Sequence, residues 1–253
     1  MPTHPIHLLN IGCGDRAIVA PGIINLDNSP YARLKRWRLL GLAMAATLSR
    51  NRRERLARFP KGVIIHDIRR PLPFADGSVR AVYHAHVLEH LDRHTAPAFL
   101  REVARVLTSG GLHRVAVPDM EHKCRAYLKS LAASQLDAVA AKRHEQRIAS
   151  IIEQSVRRDS AATRNRTGPG AWLERLILGD ARQRGETHQW MYDRVTLGRL
   201  LESTGHGDVR VFAHGESGIE NWAEWGLEFD NGAPHRPRSL IMEARKSGRR
   251  ITP

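Results

Sequence analysis

The run Leu8-Leu9-Asn10-Ile11-Gly12-Cys13-Gly14 carries an apolar stretch directly into a glycine turn. Glycine is needed where backbone bends sharply and comes close to a ligand, and such a turn at a strand's carboxyl end puts that ligand on a sheet edge. Two acids close the next two apolar runs: Asp27 after Ile23-Ile24-Asn25-Leu26, and Asp67 after Val63-Ile64-Ile65-His66. A carboxylate at the first position can accept two hydrogen bonds from ribose hydroxyls, and one at the second can accept from an adenine amino group. Together with the turn they describe an adenosine held without a pyrophosphate. The stretch Gly12 to Ala17 also fits the looser dinucleotide fingerprint, but three features oppose that reading. Only four residues, Pro21 among them, separate Ala17 from Gly22, too few for a full helix whose N-terminus could hold a pyrophosphate. Asp27 follows Gly14 by 13 residues, fewer than the roughly 20 of the dinucleotide fold, and a second acid closes the next strand.

The elements that must position these residues alternate over the first 120 positions. Ile6 to Ile11, Ile23 to Asp27, Val63 to Asp67, Val79 to Tyr83 and Leu112 to Val117 read as buried strands. Phe99, Leu100, Val103, Val106 and Leu107 fall at helical spacing between Thr95 and Leu107, with Gly110-Gly111 as the stop. Continuous apolar strands separated by crossovers predict a parallel sheet covered on both faces. Asp193 caps a helix through Leu197, Leu200 and Leu201 to Gly205, and Val209 to Ala213 and Leu240 to Ala244 are two late strands. Two stretches break the rhythm. Tyr31 to Arg58 holds nine Lys or Arg against one acid, with Leu34, Trp37, Leu40 and Met44 on one face, which predicts a basic amphipathic insert at about 31–60. A helical cap over about 120–190 is broken by Gly168-Pro169-Gly170. The whole chain, 1–253, reads as a single domain carrying these two insertions.

The order of these motifs resembles the class I S-adenosylmethionine-dependent methyltransferases. Leu8 to Gly14 is similar to their first motif and Ile24-Asn25-Leu26-Asp27 to their second-strand acid. His66-Asp67-Ile68 through Pro71-Leu72-Pro73-Phe74-Ala75-Asp76-Gly77-Ser78 is similar to their adenine loop and the entry to the fourth strand. Val82 to Leu91, Leu100 to Leu107 and Gly110-Gly111 resemble the fourth strand with its exit, then the helix and turn before the fifth strand. His188-Gln189-Trp190-Met191-Tyr192-Asp193-Arg194 and Pro237 to Ala244 resemble bacterial members associated with glycan biosynthesis. Asp15-Arg16 stands where many relatives place a third glycine, and His206 replaces the usual aromatic after Gly205. The resemblance implies an α/β, doubly wound, Rossmann-like sheet of seven strands, mostly parallel with the last strand antiparallel. It also implies S-adenosyl-L-methionine as cofactor, S-adenosyl-L-homocysteine as product, and Asn10, Gly12, Cys13, Gly14, Asp27, Asp67, Ile68 and His84 around the cofactor.

A methyl sulfonium is already activated, so holding the acceptor in line can supply much of the rate. A hydroxyl acceptor also needs a base. The candidates are His84, His86 and His90 at the fourth strand's exit, with His188 from the later segment; each could equally cap a helix, pack or face solvent. Glu89 could orient one of them. Trp190 and Tyr192 either stack on the acceptor or anchor the next helix, and Trp222 and Trp225 either rim the acceptor pocket or fasten their loop.

The charge, +14 with 34 arginines among 40 cations, attracts anions: nucleic acid, anionic lipid or phosphorylated substrates. A nucleic-acid acceptor rests on that charge alone. The fourth-strand exit Tyr83-His84-Ala85-His86 lacks the Asn/Asp-Pro-Pro-aromatic sequence of base-amine methylation, and neither Cys13 nor Cys124 follows a proline. The two cysteines form neither a disulfide framework nor a zinc site, so no metal is expected and a reducing cytoplasm fits. Neither a secretory signal nor a membrane span is expected from the sequence. The expectation is a cytoplasmic enzyme acting on a small-molecule or glycan acceptor. Its insert at 31–58 either covers the pocket or rests on an anionic membrane surface. A scaffold that kept the fold and lost the cofactor is the remaining alternative.

Overall fold

A computed structural model describes residues 6–36, 50–134, 138–155 and 188–248. Its strands are β1 (Ile6–Ile11), β2 (Ile23–Asp27), β3 (Ile64–Ile65), β4 (Val79–Ala85), β5 (Leu107–Pro118), β6 (His206–Phe212) and β9 (Ser239–Lys246), with a two-strand hairpin of β7 (Phe229–Asp230) and β8 (Ala233–Pro234). The seven longer-range strands form one sheet in the order β3-β2-β1-β4-β5-β9-β6. β1 to β5 pair in parallel, and β9 runs antiparallel between β5 and β6. The expected seven-stranded, mostly parallel sheet with a reversed final strand is therefore present.

Strand alternation divides the sheet into two packed faces. Leu9, Ile11, Val82, Val115, Val117 and Met242 face one core with α3 (Thr95–Val106) and α6 (Arg194–Ser203). Their neighbours Leu8, Ala81 and Tyr83 face a smaller core closed by Ile219, Trp222 and Leu227. α3 buries Ala96, Phe99, Leu100, Val103, Ala104 and Val106, the stripe its spacing predicts. α6 starts at a capping box: the Asp193 side chain accepts from Val195 N and Thr196 N, and the Thr196 hydroxyl returns to Asp193 N.

The motif pair before β4 and β5 has a mechanical cause. On α3, Glu102 accepts from Leu72 N, and Arg105 donates to the carbonyls of Leu72 and Phe74 and to Asp76. The helix thereby pins the Pro71–Ser78 loop that feeds β4.

Two boundaries differ from expectation. β3 spans two residues, because only Leu26 and Asp27 of β2 offer it partners. Gly110-Gly111 does not stop a helix; it lies inside β5, where the register against β4 shifts between Val79 and Ala81. Gly110 takes φ +69°, and a Cβ on Gly111 would meet Arg80 O at 2.9 Å, so the pair serves a bulge and a close strand approach.

Of the basic insert, α1 (Pro30–Arg36) and α2 (Arg50–Arg58) are described, and Lys35 Nζ ties them by donating to the carbonyls of Leu56, Ala57 and Phe59 at the end of α2. Trp37, Leu40 and Met44 lie outside the described residues, as does the Gly168–Gly170 break. The later cap contributes α4 (Met120–Ser134) and α5 (Ala138–Ser155). Among the described residues no helix is long and apolar enough to cross a membrane.

Candidate active site

The glycine turn and both acids come to the same carboxyl edge, because β1, β2 and β3 are parallel neighbours. No helix follows β1. The chain from Gly14 to Gly22 is held instead by two buried amides: Asn10 Nδ2 donates to Arg16 O and Asn25 Oδ1, and Asn25 exchanges two bonds with Ile18. Each such bond is worth about 1 kcal/mol net, and together they fix a loop too short and proline-bearing to wind up.

Asp27 is buried, and its two oxygens accept separately: Oδ2 from Gly14 N at 2.9 Å and Oδ1 from Ser29 N at 2.6 Å. One lone pair on each oxygen is thus left for a vicinal diol, which fits the ribose of a sulfonium nucleoside. A cavity of about 270 Å³ opens beside this unit, lined by Asn10, Gly12, Cys13, Gly14, Ser29 and Tyr31. Its far wall is Tyr83, Ala85, His86 and Ser239. Tyr31 and Phe59 line it too, so the described ends of the basic insert reach this cleft. Burial and the nearby Asp27 carboxylate push the Cys13 thiol strongly up, which leaves it a neutral wall group, not a nucleophile.

Asp67 and Ile68 stand on the same edge but outside the cavity wall. Arg69 grips both oxygens of Asp67, and this hydrogen-bonded guanidinium holds the carboxyl below the usual range. Ile68 packs against the larger core.

His84 is the residue the sequence misplaces. It is fully buried and points to the helix-covered face, against Phe99, while its neighbours Tyr83 and Ala85 face the cleft. There it joins a chain of imidazoles: His84 Nε2 to His113 Nε2 at 2.9 Å, and His113 Nδ1 to His206 Nε2 at 3.2 Å. The directions follow from the end of the chain. His206 Nδ1 donates to Leu201 O, so its Nε2 accepts from His113, and His113 Nε2 accepts from His84. Burial holds His84 down at about 3 and His206 at about 4, and pushes His113 well below its ordinary value. All three are neutral packing groups, and His206 replaces the aromatic its position resembles by occupying the same core.

The other three histidines gather on one carboxylate. His86 sits at the exit of β4 with φ +55°, a backbone conformation rare for non-glycine residues. Its Nδ1 lies 3.0 Å from Glu89 Oε1, and its Nε2 lies 2.9 Å from Ser239 Oγ. His90 Nε2 and His188 Nε2 lie 4.0 and 3.9 Å from the same Glu89 oxygen. His188 reaches this place because its segment is strapped to the short 3-10 turn Leu88–His90: Gln189 N and Trp190 N donate to Glu89 O, and Gln189 Nε2 donates to His90 O. Burial pushes His188 down to about 4.

A second cavity adjoins the first, sharing His86, Arg236 and Ser239 with it. Its walls add His122, Lys123, Arg147, His188 and Arg238, a lining rich in cations. The aromatic residues divide. Tyr192 and Trp222 are buried anchors, whereas Trp190 is partly exposed beneath the Arg93 guanidinium, 4.4 Å from its ring centre.

Sequence reasoning missed the late-strand side of the cleft. Arg16, in the place of the third glycine, donates to the carbonyls of Leu227 and Phe229 and pairs with Asp230, so it fastens the β7–β8 hairpin over the cavity. The fully buried Arg114 pairs with Glu228 and Glu243 and stacks on Trp222, holding the same segment from below. An arginine set just before the apolar run Val115-Ala116-Val117 is the sequence signal that points to it.

Residues 9–115 match the family model described as a methyltransferase domain. Fold, sheet edge and match are those of an S-adenosylmethionine-dependent methyltransferase, with S-adenosylmethionine as the cofactor, and over this stretch the chain is similar to that class. Among solved structures, similar chains include a SAM-dependent methyltransferase of Thermotoga maritima, 13% identical with TM-score 0.43, the match covering 98% of this chain and 84% of that one. Another is a SAM-dependent methyltransferase of Archaeoglobus fulgidus, 14% identical with TM-score 0.42, over 94% and 85%. A third is the CurJ carbon methyltransferase, 12% identical with TM-score 0.42; the match takes in 98% of this chain but only 50% of that one. Likeness at this level speaks to neither acceptor nor partner. A search among curated proteins finds no match.

Proposed function

We propose that the protein transfers the methyl group of S-adenosylmethionine to an oxygen or nitrogen of an anionic small-molecule or glycan acceptor. The bound cofactor supplies an activated methyl group. The observation that carries the reading is the pair of adjoining cavities: one lined by the Gly12–Gly14 turn that Asp27 holds through Gly14 N, the other lined by Lys123, Arg147, Arg236 and Arg238, with His86 and Ser239 between them. An acceptor bearing phosphate or carboxylate is drawn to the second cavity by charge, and its nucleophile lies against His86. His86 is oriented by Glu89 through Nδ1, the arrangement of a base steered by a carboxylate. The Asp27 diol interaction and the enclosing β7–β8 hairpin position the nucleoside and exclude water. The described ends of the insert, Tyr31 and Phe59, support a role in covering this site, in preference to a membrane contact.

The test is a methyl-transfer screen with labelled donor against extracts fractionated by anion exchange. Labelled product should appear in the anionic fractions with wild type and fall by about 100-fold or more with His86→Ala, the usual weight of a general base. Labelling confined to neutral or nucleic-acid fractions contradicts the acceptor class.

A further inference from the structure

The Glu89 carboxylate is the least satisfied group among the described residues. It is fully buried; its one close polar contact is His86 Nδ1, 3.0 Å from Oε1, and Oε2 has no hydrogen-bond partner. A buried carboxylate without a cation or hydrogen bonds costs several kcal/mol, and native proteins relieve that cost by pairing the charge or coordinating a metal. What surrounds it in ion-pair reach is imidazole: His86, His90 and His188. One donor atom each from Glu89, His90 and His188 falls within 4.8 Å of the others.

We infer that Glu89, His90 and His188 form a site for one divalent transition-metal ion of the zinc type, beside the acceptor cavity. Two imidazoles and one carboxylate are the ligand set of open, three-protein-ligand zinc sites, whose remaining position takes water or substrate. Ligands about 2.0–2.2 Å from a metal stand roughly 3–3.5 Å apart, so the gaps of 3.9 and 4.0 Å to Glu89, and the separation of up to 4.8 Å within the set, close with side-chain shifts of about an ångström. Both His86 and His188 border the cationic cavity, so an ion here sits where an acceptor's anionic oxygen could complete its coordination. Gln189, bonded to Glu89 O and His90 O, acts as the positioning residue that delivers His188 from about a hundred residues away. The site's role in orienting the acceptor rests on the function proposed above; the binding of the ion does not.

The test uses the full chain after chelator treatment, without cofactor or acceptor. Co²⁺ is titrated and read by its visible d–d absorption, and Zn²⁺ is then added in competition. The expected result is one equivalent of Co²⁺, displaced by Zn²⁺. His188→Ala should weaken binding by more than about 100-fold, beyond the 10–100-fold of an outer partner, and Gln189→Ala should fall within that outer range. Glu89→Gln should abolish binding, and if that buried substitution prevents folding, His188→Ala at the cavity border decides alone, with its far-UV circular dichroism matching wild type. Failure of wild type to take up either ion stoichiometrically overturns the inference. Undiminished binding by His188→Ala overturns it as well. Neither outcome touches methyl transfer, which His86→Ala tests separately.

Discussion

Gly14 and Asp27, 13 residues apart, are one unit: the backbone N–H of the first donates to Oδ2 of the second at 2.9 Å. The turn at the end of β1 and the acid at the end of β2 therefore cannot move independently. Asp27→Ala removes the diol acceptor and leaves the Gly14 and Ser29 N–H groups unpaired. Hydrogen bonds to charged groups are worth about 1.5–3 kcal/mol each, so S-adenosylhomocysteine affinity by calorimetry should fall by about 100-fold or more. Wild-type affinity in that variant would rule Asp27 out as the diol acceptor.

The two turn glycines should fail differently. Both have positive φ, +65° at Gly12 and +54° at Gly14, a conformation costing an alanine about 1–2 kcal/mol. At Gly12 a Cβ would also meet Val87 Cγ2 at 2.3 Å, whereas at Gly14 it meets nothing within 4 Å. Gly12→Ala should thus destabilise by more than Gly14→Ala in urea unfolding, adding about 1–3 kcal/mol of overpacking. Equal losses would mean that Val87 simply moves aside.

The buried imidazole chain makes stability depend on acid. His84, His113 and His206 all titrate below an unfolded histidine, which has its midpoint near 6.5. The unfolded state therefore binds more protons as pH falls, and each proton taken up there favours unfolding. Their contribution is complete above about pH 6.5 and declines from there toward about 4 for His206 and about 3 for His84. Urea midpoints should be level from about pH 8 to 7 and drop steadily from about 6.5 to 5. A flat profile through that window would mean that the chain opens to water.

Arg114 is fully buried between Glu228 and Glu243, with a further bond to Glu216 O. Arg114→Ala strands two buried carboxylates and should cost about 3–5 kcal/mol, read as a fall in unfolding free energy. Replacing all three with apolar residues of similar volume should recover most of that loss. If the triple change is as damaging as the single one, the cation is needed for more than neutralising its partners.

Much of this was legible because it is local. An apolar run ending in Gly12-Cys13-Gly14 needs no distant partner to be a strand and a turn, and Asp193 announces α6 by its own hydrogen bonds. Where Asp27 stands on the edge followed from strand parallelism alone. The histidines were harder. His84 and His86 are two residues apart and would share a face in a continuing strand, but β4 ends at Ala85 and His86, at φ +55°, turns to the cleft while His84 stays in the core. His188 could be suspected of chemistry, yet its meeting with Glu89 depends on Gln189 bonds that join segments about a hundred residues apart. Arg16 looked like a departure from a glycine pattern; its work is to hold the β7–β8 hairpin, a contact over 211 residues that no local pattern encodes.

The position of β9 between β5 and β6 has a consequence for how the chain reaches its native state. During synthesis, β5 emerges with one long edge that has no lawful neighbour, and β6 cannot take that place. Until residues 239–246 leave the ribosome, the carboxyl side of the sheet is a template open to other chains, with the Arg114 charge lacking its Glu243 partner. Among the described strands the latest made is therefore the one that seals the sheet, and an elongation pause upstream of it prolongs the interval of greatest exposure to aggregation.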